Sequence, residues 1–106
     1  MTQGTFHGVG LGPGDPELLT VKAVRLIEDC GALAYFAKAG RRGNARTIVD
    51  RWVPEGKPEM PLYYPMTTET HFGEEAYISA LSGFYEESVA RIAEVLDQGR
   101  DVVLAC

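Results

Sequence analysis

The stretch GVGLGPGDPELLTVKA, from Gly8 to Ala23, constrains the fold more than any other part of this 106-residue chain. It leaves a β-like segment, TFHGVGL (Thr5–Leu11), passes through a turn of glycine and proline, and enters helical apolar spacing at once. Leu19, Ala23, Leu26, Ile27 and Cys30 recur on one side, while Glu17, Lys22, Arg25, Glu28 and Asp29 take the other, which predicts an amphipathic helix. Asp15 is placed to accept from free backbone N–H groups as its N-cap, and Pro16 suits the first helical position.

The alternation continues to the end of the chain. ALAYFA (Ala32–Ala37) reads as a second strand, apolar on both faces. Asn44 is expected to cap a short helix, ARTIVDRW, and MPLYYP supplies a third, short strand. A longer helix is predicted over Ala76–Gln98, with Ile78, Leu81, Tyr85, Val89, Ile92 and Leu96 on one face, and DVVLA is the fourth strand. The fold class is therefore α/β, a mostly parallel sheet with flanking helices. Ligands of such open sheets bind beyond the carboxyl ends of the strands, so a loop following Cys106 belongs to the expected site. That predicts a chain truncated before a second domain.

Composition narrows the partners. At 45% hydrophobic and 24% charged the chain has globular composition. Cys30 and Cys106 form no CxxC pattern and no secretory leader is visible, so a reduced, cytoplasmic protein is expected. Apolar runs of about six residues fall far short of the roughly 20 of a membrane span. His7 and His71 lack metal-ligand spacing, and no metal is expected. A net charge of −5 speaks against nucleic acid, but Lys38, Arg41, Arg42, Arg46, Arg51 and Lys57 gather in one segment, where an anion would be received.

The glycine loop fails the phosphate motifs. GxGxxG begun at Gly8 needs glycine where Pro13 stands, and begun at Gly10 it needs glycine where Asp15 stands; no Gly-Lys-Ser/Thr follows either. What remains is a proline-stiffened turn whose glycines either let another molecule approach the backbone or, at Gly12 and Gly14, only supply positive φ in a connecting turn while Asp15 caps the helix.

VGLGPGDPELLTVKAVRLIEDCGALAY resembles the opening signature of the tetrapyrrole methylase family, G-x-G-P-G-D-P-x-x-L-T-x-K-A followed by a helix and a short strand. KAGRRGNARTIVDRW, YYPMTTE and SVARIAEVLDQGRDVVLAC extend the similarity over nearly the whole chain. PMT, at Pro65 to Thr67, points to the branch that methylates precorrin-2 at C-20 early in cobalamin synthesis.

The resemblance implies the N-terminal domain of a two-domain enzyme, homodimeric when complete. S-adenosylmethionine would lie in the cleft between domains, with the tetrapyrrole over it. It places Leu11, Gly12 and Pro13 beside the cofactor and Gly14 and Asp15 beside the substrate. A carboxylate-rich macrocycle calls for cations, which makes Lys38, Arg41, Arg42 and Arg46 candidate ligands, with Met66 and Thr67 lining its pocket. No general base is assigned, because positioning carries most of a methyl transfer whose reactivity the cofactor supplies. The competing readings are another tetrapyrrole methylase, such as one acting on uroporphyrinogen III, a family member that methylates RNA, and a non-catalytic α/β binding fragment.

Overall fold

A computed structural model describes residues 3–38, 40, 42–65 and 74–106. The strands are β1 (Phe6–Val9), β2 (Ala32–Ala37), β3 (Glu59–Tyr63) and β4 (Val102–Ala105); the helices are α1 (Val21–Asp29), α2 (Asn44–Val49) and α3 (Glu74–Asp97). The strands form one sheet in the order β1-β4-β2-β3, with every neighbouring pair parallel. The expected α/β architecture is thus present.

Residue alternation in β2 sets the two layers. Leu33, Tyr35 and Ala37 join Val9, Ala23, Ile27, Val49 and Val103 in the core beneath α1 and α2. Ala32 and Ala34 belong with Met60, Leu62 and Val102 to a second core, against which Phe84, Ile92, Val95 and Leu96 of α3 pack. Each fully buried Ile, Leu or Val contributes roughly 1.5–3 kcal/mol of transfer free energy. Cys30 sits in the first core, and burial pushes its thiol pKa up.

The connections explain why the layers divide in this way. From β1 to β2 and from β2 to β3 the chain steps in one direction, with α1 and α2 on one face; from β3 to β4 it steps back, with α3 on the other. Parallel crossovers share one hand, so reversing direction must change the face.

Three local expectations are corrected. Asp15 does cap, accepting from Glu17 N–H at 2.9 Å, but it caps a short 3₁₀ turn, Pro16–Leu18. Thr20 caps α1 instead, accepting from Ala23 N–H at 3.0 Å, because the proline turn ends before regular helix can begin. Asn44 is the first residue of α2, and its N-cap is Gly43, which makes no side-chain cap. Finally, α3 turns Phe84, Ser88, Ile92 and Val95 inward and leaves Ile78, Tyr85 and Val89 more than half exposed. Ile92 and Leu96 of the expected stripe do pack, but further up the helix the inward positions fall one residue earlier, at Phe84 and Ser88 in place of Tyr85 and Val89.

Candidate functional site

All four strands point the same way, so their carboxyl ends gather four segments on one edge. These are the glycine loop after β1, Lys38 after β2, Tyr64 after β3 and Cys106 after β4. Backbone hydrogen bonds fix the edge: Leu11 N–H donates to Cys106 O at 2.9 Å, Cys106 N–H to Val9 O at 3.0 Å, and Tyr64 N–H to Ala37 O at 3.2 Å.

The glycine loop presents main chain. Gly12 has φ +72°, and a Cβ built on it would meet nothing nearer than Leu18 O at 3.9 Å; over Gly10 the space is open to 4 Å. Pro13 is exposed, whereas the Leu11 side chain, expected beside the cofactor, is buried in the core with 2% exposure. With its N–H bonded to Cys106, Leu11 offers a ligand its carbonyl alone. Gly14 approaches Ile48 of α2, Trp52 Nε1 donates to Pro16 O at 3.4 Å, and Arg51 pairs with Glu17 at 3.7 Å. The loop therefore rests on α2 and the 3₁₀ turn that follows it, Asp50–Trp52.

A second feature lies where the loops after β2 and β3 leave for opposite faces, the crevice in which open α/β sheets bind ligands. Here an open cavity of about 220 Å³ is lined by Lys38, Gly43, Asn44 and Tyr64. Lys38 is half-buried, and no described carboxylate pairs with it. Its ammonium is suited to an incoming anion.

The other described cations of this segment are placed differently. Arg46, grouped by the sequence with the substrate ligands, is 7% exposed and turned into the protein. Its Nε donates to Glu59 Oε1 at 2.6 Å, Nη2 to Glu59 Oε2 at 3.4 Å, and Nη1 to Asp50 Oδ1 at 3.0 Å. Tyr35 donates its hydroxyl to Glu59 at 2.9 Å, and Arg42, the other arginine expected at the substrate, donates to Asp50. Arg41, Met66 and Thr67 lie outside the described residues.

Electrostatics in this chain of groups are mutually reinforcing. The Arg46 hydrogen bond holds the Glu59 carboxyl below its ordinary pKa, opposed by burial and aided by Tyr35. Arg46, with Arg42 beside it, does the same for Asp50. The Arg46 guanidinium is itself held more firmly charged, first by Glu59. Burial, followed by the Glu59 contact, pushes Tyr35 up to about 12. The sequence offered no sign of this cluster, since nothing local pairs Arg46 with Glu59, 13 residues on, or Tyr35 with Glu59, 24 residues on. Glu59 reads only as the polar start of a strand.

The strand order and the two features on one edge define an all-parallel α/β domain with an exposed glycine loop and an open cavity at its carboxyl end. The chain belongs to the tetrapyrrole (corrin/porphyrin) methylases, whose family profile matches residues 5–106. It is 48% identical over 101 residues to a precorrin-2 C(20)-methyltransferase of Sinorhizobium sp., covering 95% of this chain and 41% of that protein. It is 45% identical over 102 residues to the cobalamin biosynthesis protein CobIJ of Mycobacterium tuberculosis, covering 96% and 20% respectively. Similarity to a chloroplastic uroporphyrinogen III methyltransferase of Arabidopsis thaliana is 59% over 32 residues, covering 30% of the chain and 9% of the relative. The chain thus spans less than half the length of the curated relatives it matches.

Proposed function

We propose that the complete protein transfers a methyl group from S-adenosylmethionine to C-20 of precorrin-2 in cobalamin synthesis. The observation that carries this reading is the 48% identity with a precorrin-2 C(20)-methyltransferase across almost the whole chain. Similarity to the uroporphyrinogen III enzyme covers only 30% of the chain. Homodimeric assembly and a second domain belong to the same reading, and a cytoplasmic location is proposed from the cysteine usage.

The residues suit the two ligands in different ways. The cofactor supplies an electrophilic methyl on a sulfonium and carries no phosphate. The open main chain at Gly10 and Gly12 fits a ligand that lies flat against backbone, and Asp15 is the one charged residue between Gly10 and Pro16. Pro13 and the Leu11 carbonyl complete that wall. Lys38, with Tyr64 and Asn44 at its cavity, takes a peripheral carboxylate of the macrocycle. Gly14 and Asp15 border the substrate between these features.

When bound against Gly10, Gly12, Pro13 and the Leu11 carbonyl, the cofactor would supply the methyl to a nucleophilic carbon of the tetrapyrrole, the carbon–sulfur pair staying on sulfur and the displaced proton passing to solvent. The protein's share is alignment and exclusion of water, which together supply several powers of ten when the reacting atoms are held in line. The test is turnover by the complete enzyme of precorrin-2, uroporphyrinogen III and RNA, each with labelled S-adenosylmethionine. Label at C-20 of precorrin-2 is expected. Preferential labelling of either alternative overturns the assignment.

A further inference from the structure

Within the proposed reaction, we infer that Arg46 is a positioning residue that shapes the substrate crevice through the chain Tyr35–Glu59–Arg46–Asp50–Arg42, without touching the substrate. This rests on the reading of the cavity beside Lys38 as a carboxylate subsite.

Arg46 is the nearly buried member of a run of five groups that starts in the sheet and ends at the loop. Tyr35 belongs to β2 and Glu59 opens β3, so the first link ties two neighbouring strands together. Arg46 then clamps α2 to that pair with a two-pronged contact on one carboxylate, the arrangement in which a guanidinium is directional and a lysine is not. Its third contact fixes Asp50, which in turn receives Arg42, one residue from the Gly43 wall of the cavity.

Between Lys38, at the end of β2, and Asn44, at the start of α2, the chain must therefore span two anchored points. The same helix carries Ile48, whose Cδ1 would stand 4.0 Å from a Cβ built on Gly14. No buried side-chain nitrogen or oxygen in the described structure is left without a partner, so the cluster is internally satisfied. A guanidinium with three of its nitrogens engaged by the protein's own carboxylates holds the crevice in shape, and among the described residues lining the cavity the cation left for an anion is Lys38.

The experiment uses the complete enzyme with precorrin-2 and S-adenosylmethionine, measuring KM for each, kcat and thermal midpoint. Arg46→Gln is expected to raise KM for precorrin-2 about 10-fold, near the 1.4 kcal/mol that a tenfold change represents, with KM for S-adenosylmethionine changed by less than about twofold. Adding Lys38→Met to Arg46→Gln is expected to raise KM for precorrin-2 no further, because both act on one subsite. A purely structural role lowers the midpoint and the folded fraction but leaves KM for precorrin-2 unchanged, and that result overturns the inference. Multiplicative effects of the two substitutions overturn it as well.

Asp50→Asn guards against a variant that fails to fold, since Asp50 is more than half exposed. It is expected to raise KM for precorrin-2 about threefold by loosening Arg42; an unchanged value overturns the relay. If the unsubstituted enzyme does not turn over precorrin-2, the functional reading falls and the subsite falls with it. Turnover with no response to Arg46→Gln removes the relay alone.

Discussion

Two loops meet at the carboxyl edge of the sheet, and each has a glycine in the left-handed region: Gly12 at φ +72° in the glycine loop and Gly43 at φ +88° in the basic loop. Around Gly12 the nearest atom to an added Cβ is 3.9 Å away, whereas at Gly43 that Cβ would stand 2.7 Å from Phe36 O and 3.1 Å from Ala37 Cβ. The same residue type, at similar φ, thus answers to different demands. One glycine leaves room for a ligand; the other leaves room for the protein. The charges divide in parallel, with Lys38 facing open space while Arg42 and Arg46 are engaged by Asp50 and Glu59.

The largest expected effect tests the protein-filled side of that contrast. Gly43→Ala forces a Cβ against backbone at the end of β2 and places alanine at positive φ, so unfolding free energy in urea should drop by about 3 kcal/mol. A loss under about 1 kcal/mol would show that the loop relaxes freely, and the claim that it is held between anchors would lose its support.

Next in size is a pH effect confined to the basic-loop cluster. Folding raises the Tyr35 pKa from 10.0 to about 12, so the contribution of its neutral hydroxyl is complete below pH about 10 and is lost as pH rises towards 12. A shift of that size corresponds to on the order of 2 kcal/mol. Tyr35→Phe should flatten this alkaline decline, read as the difference between the two proteins' urea midpoints across that interval. Parallel curves would mean that neither burial nor the Glu59 contact holds the Tyr35 hydroxyl neutral. Glu59 and Asp50 act at the other end: their pKa values are lowered on folding, so their stabilisation is present above the ordinary carboxylate range and disappears as pH falls through the lowered values.

The difference between the loops also marks what a sequence can disclose. GPGDP encodes its turn locally, through glycines at positive φ and a proline, and the loop's place between a strand and a helix was legible for that reason. The strands were legible too, ALAYFA to the residue, because an apolar run bounded by glycine and a basic turn admits few alternatives. Capping shifted by a few residues, since Asp15 and Thr20 are both good caps and only the length of the proline turn decides between them.

The roles of the cations were not legible. Whether an arginine meets a ligand or a carboxylate of its own chain depends on strand pairing, and Glu59 reaches Arg46 only because β3 lies beside β2. The inward face of α3 was read correctly at Ile92 and Leu96 and misplaced before them for a related reason: Tyr85 and Val89 continue an apolar stripe, but the buried positions there are Phe84 and Ser88.

On the ligand-facing side, Gly12→Ala separates conformation from space. Alanine at φ +72° costs about 1 kcal/mol of stability, with no steric addition because its Cβ points into open volume. That volume is where the cofactor would lie against the backbone, so KM for S-adenosylmethionine should rise about 10-fold while KM for precorrin-2 stays within about twofold. An unaffected cofactor KM would remove the loop from the cofactor wall and would erase the contrast with Gly43.

The smallest change expected is at Asp15, where two roles coincide. Its carboxylate accepts from Glu17 N–H at 2.9 Å, which an asparagine carbonyl can do equally well. Asp15→Asn should therefore leave the thermal midpoint almost unmoved, within about 0.5 kcal/mol of stability. The charge is what the substitution removes, while Glu17 keeps its own pairing with Arg51. If Asp15 also orients pyrrole N–H groups of the tetrapyrrole, kcat falls about 10-fold or more with stability intact, since a neutral amide is a weaker acceptor than a carboxylate. Unchanged kcat would reduce Asp15 to a cap and leave the glycine loop a surface made of main chain alone.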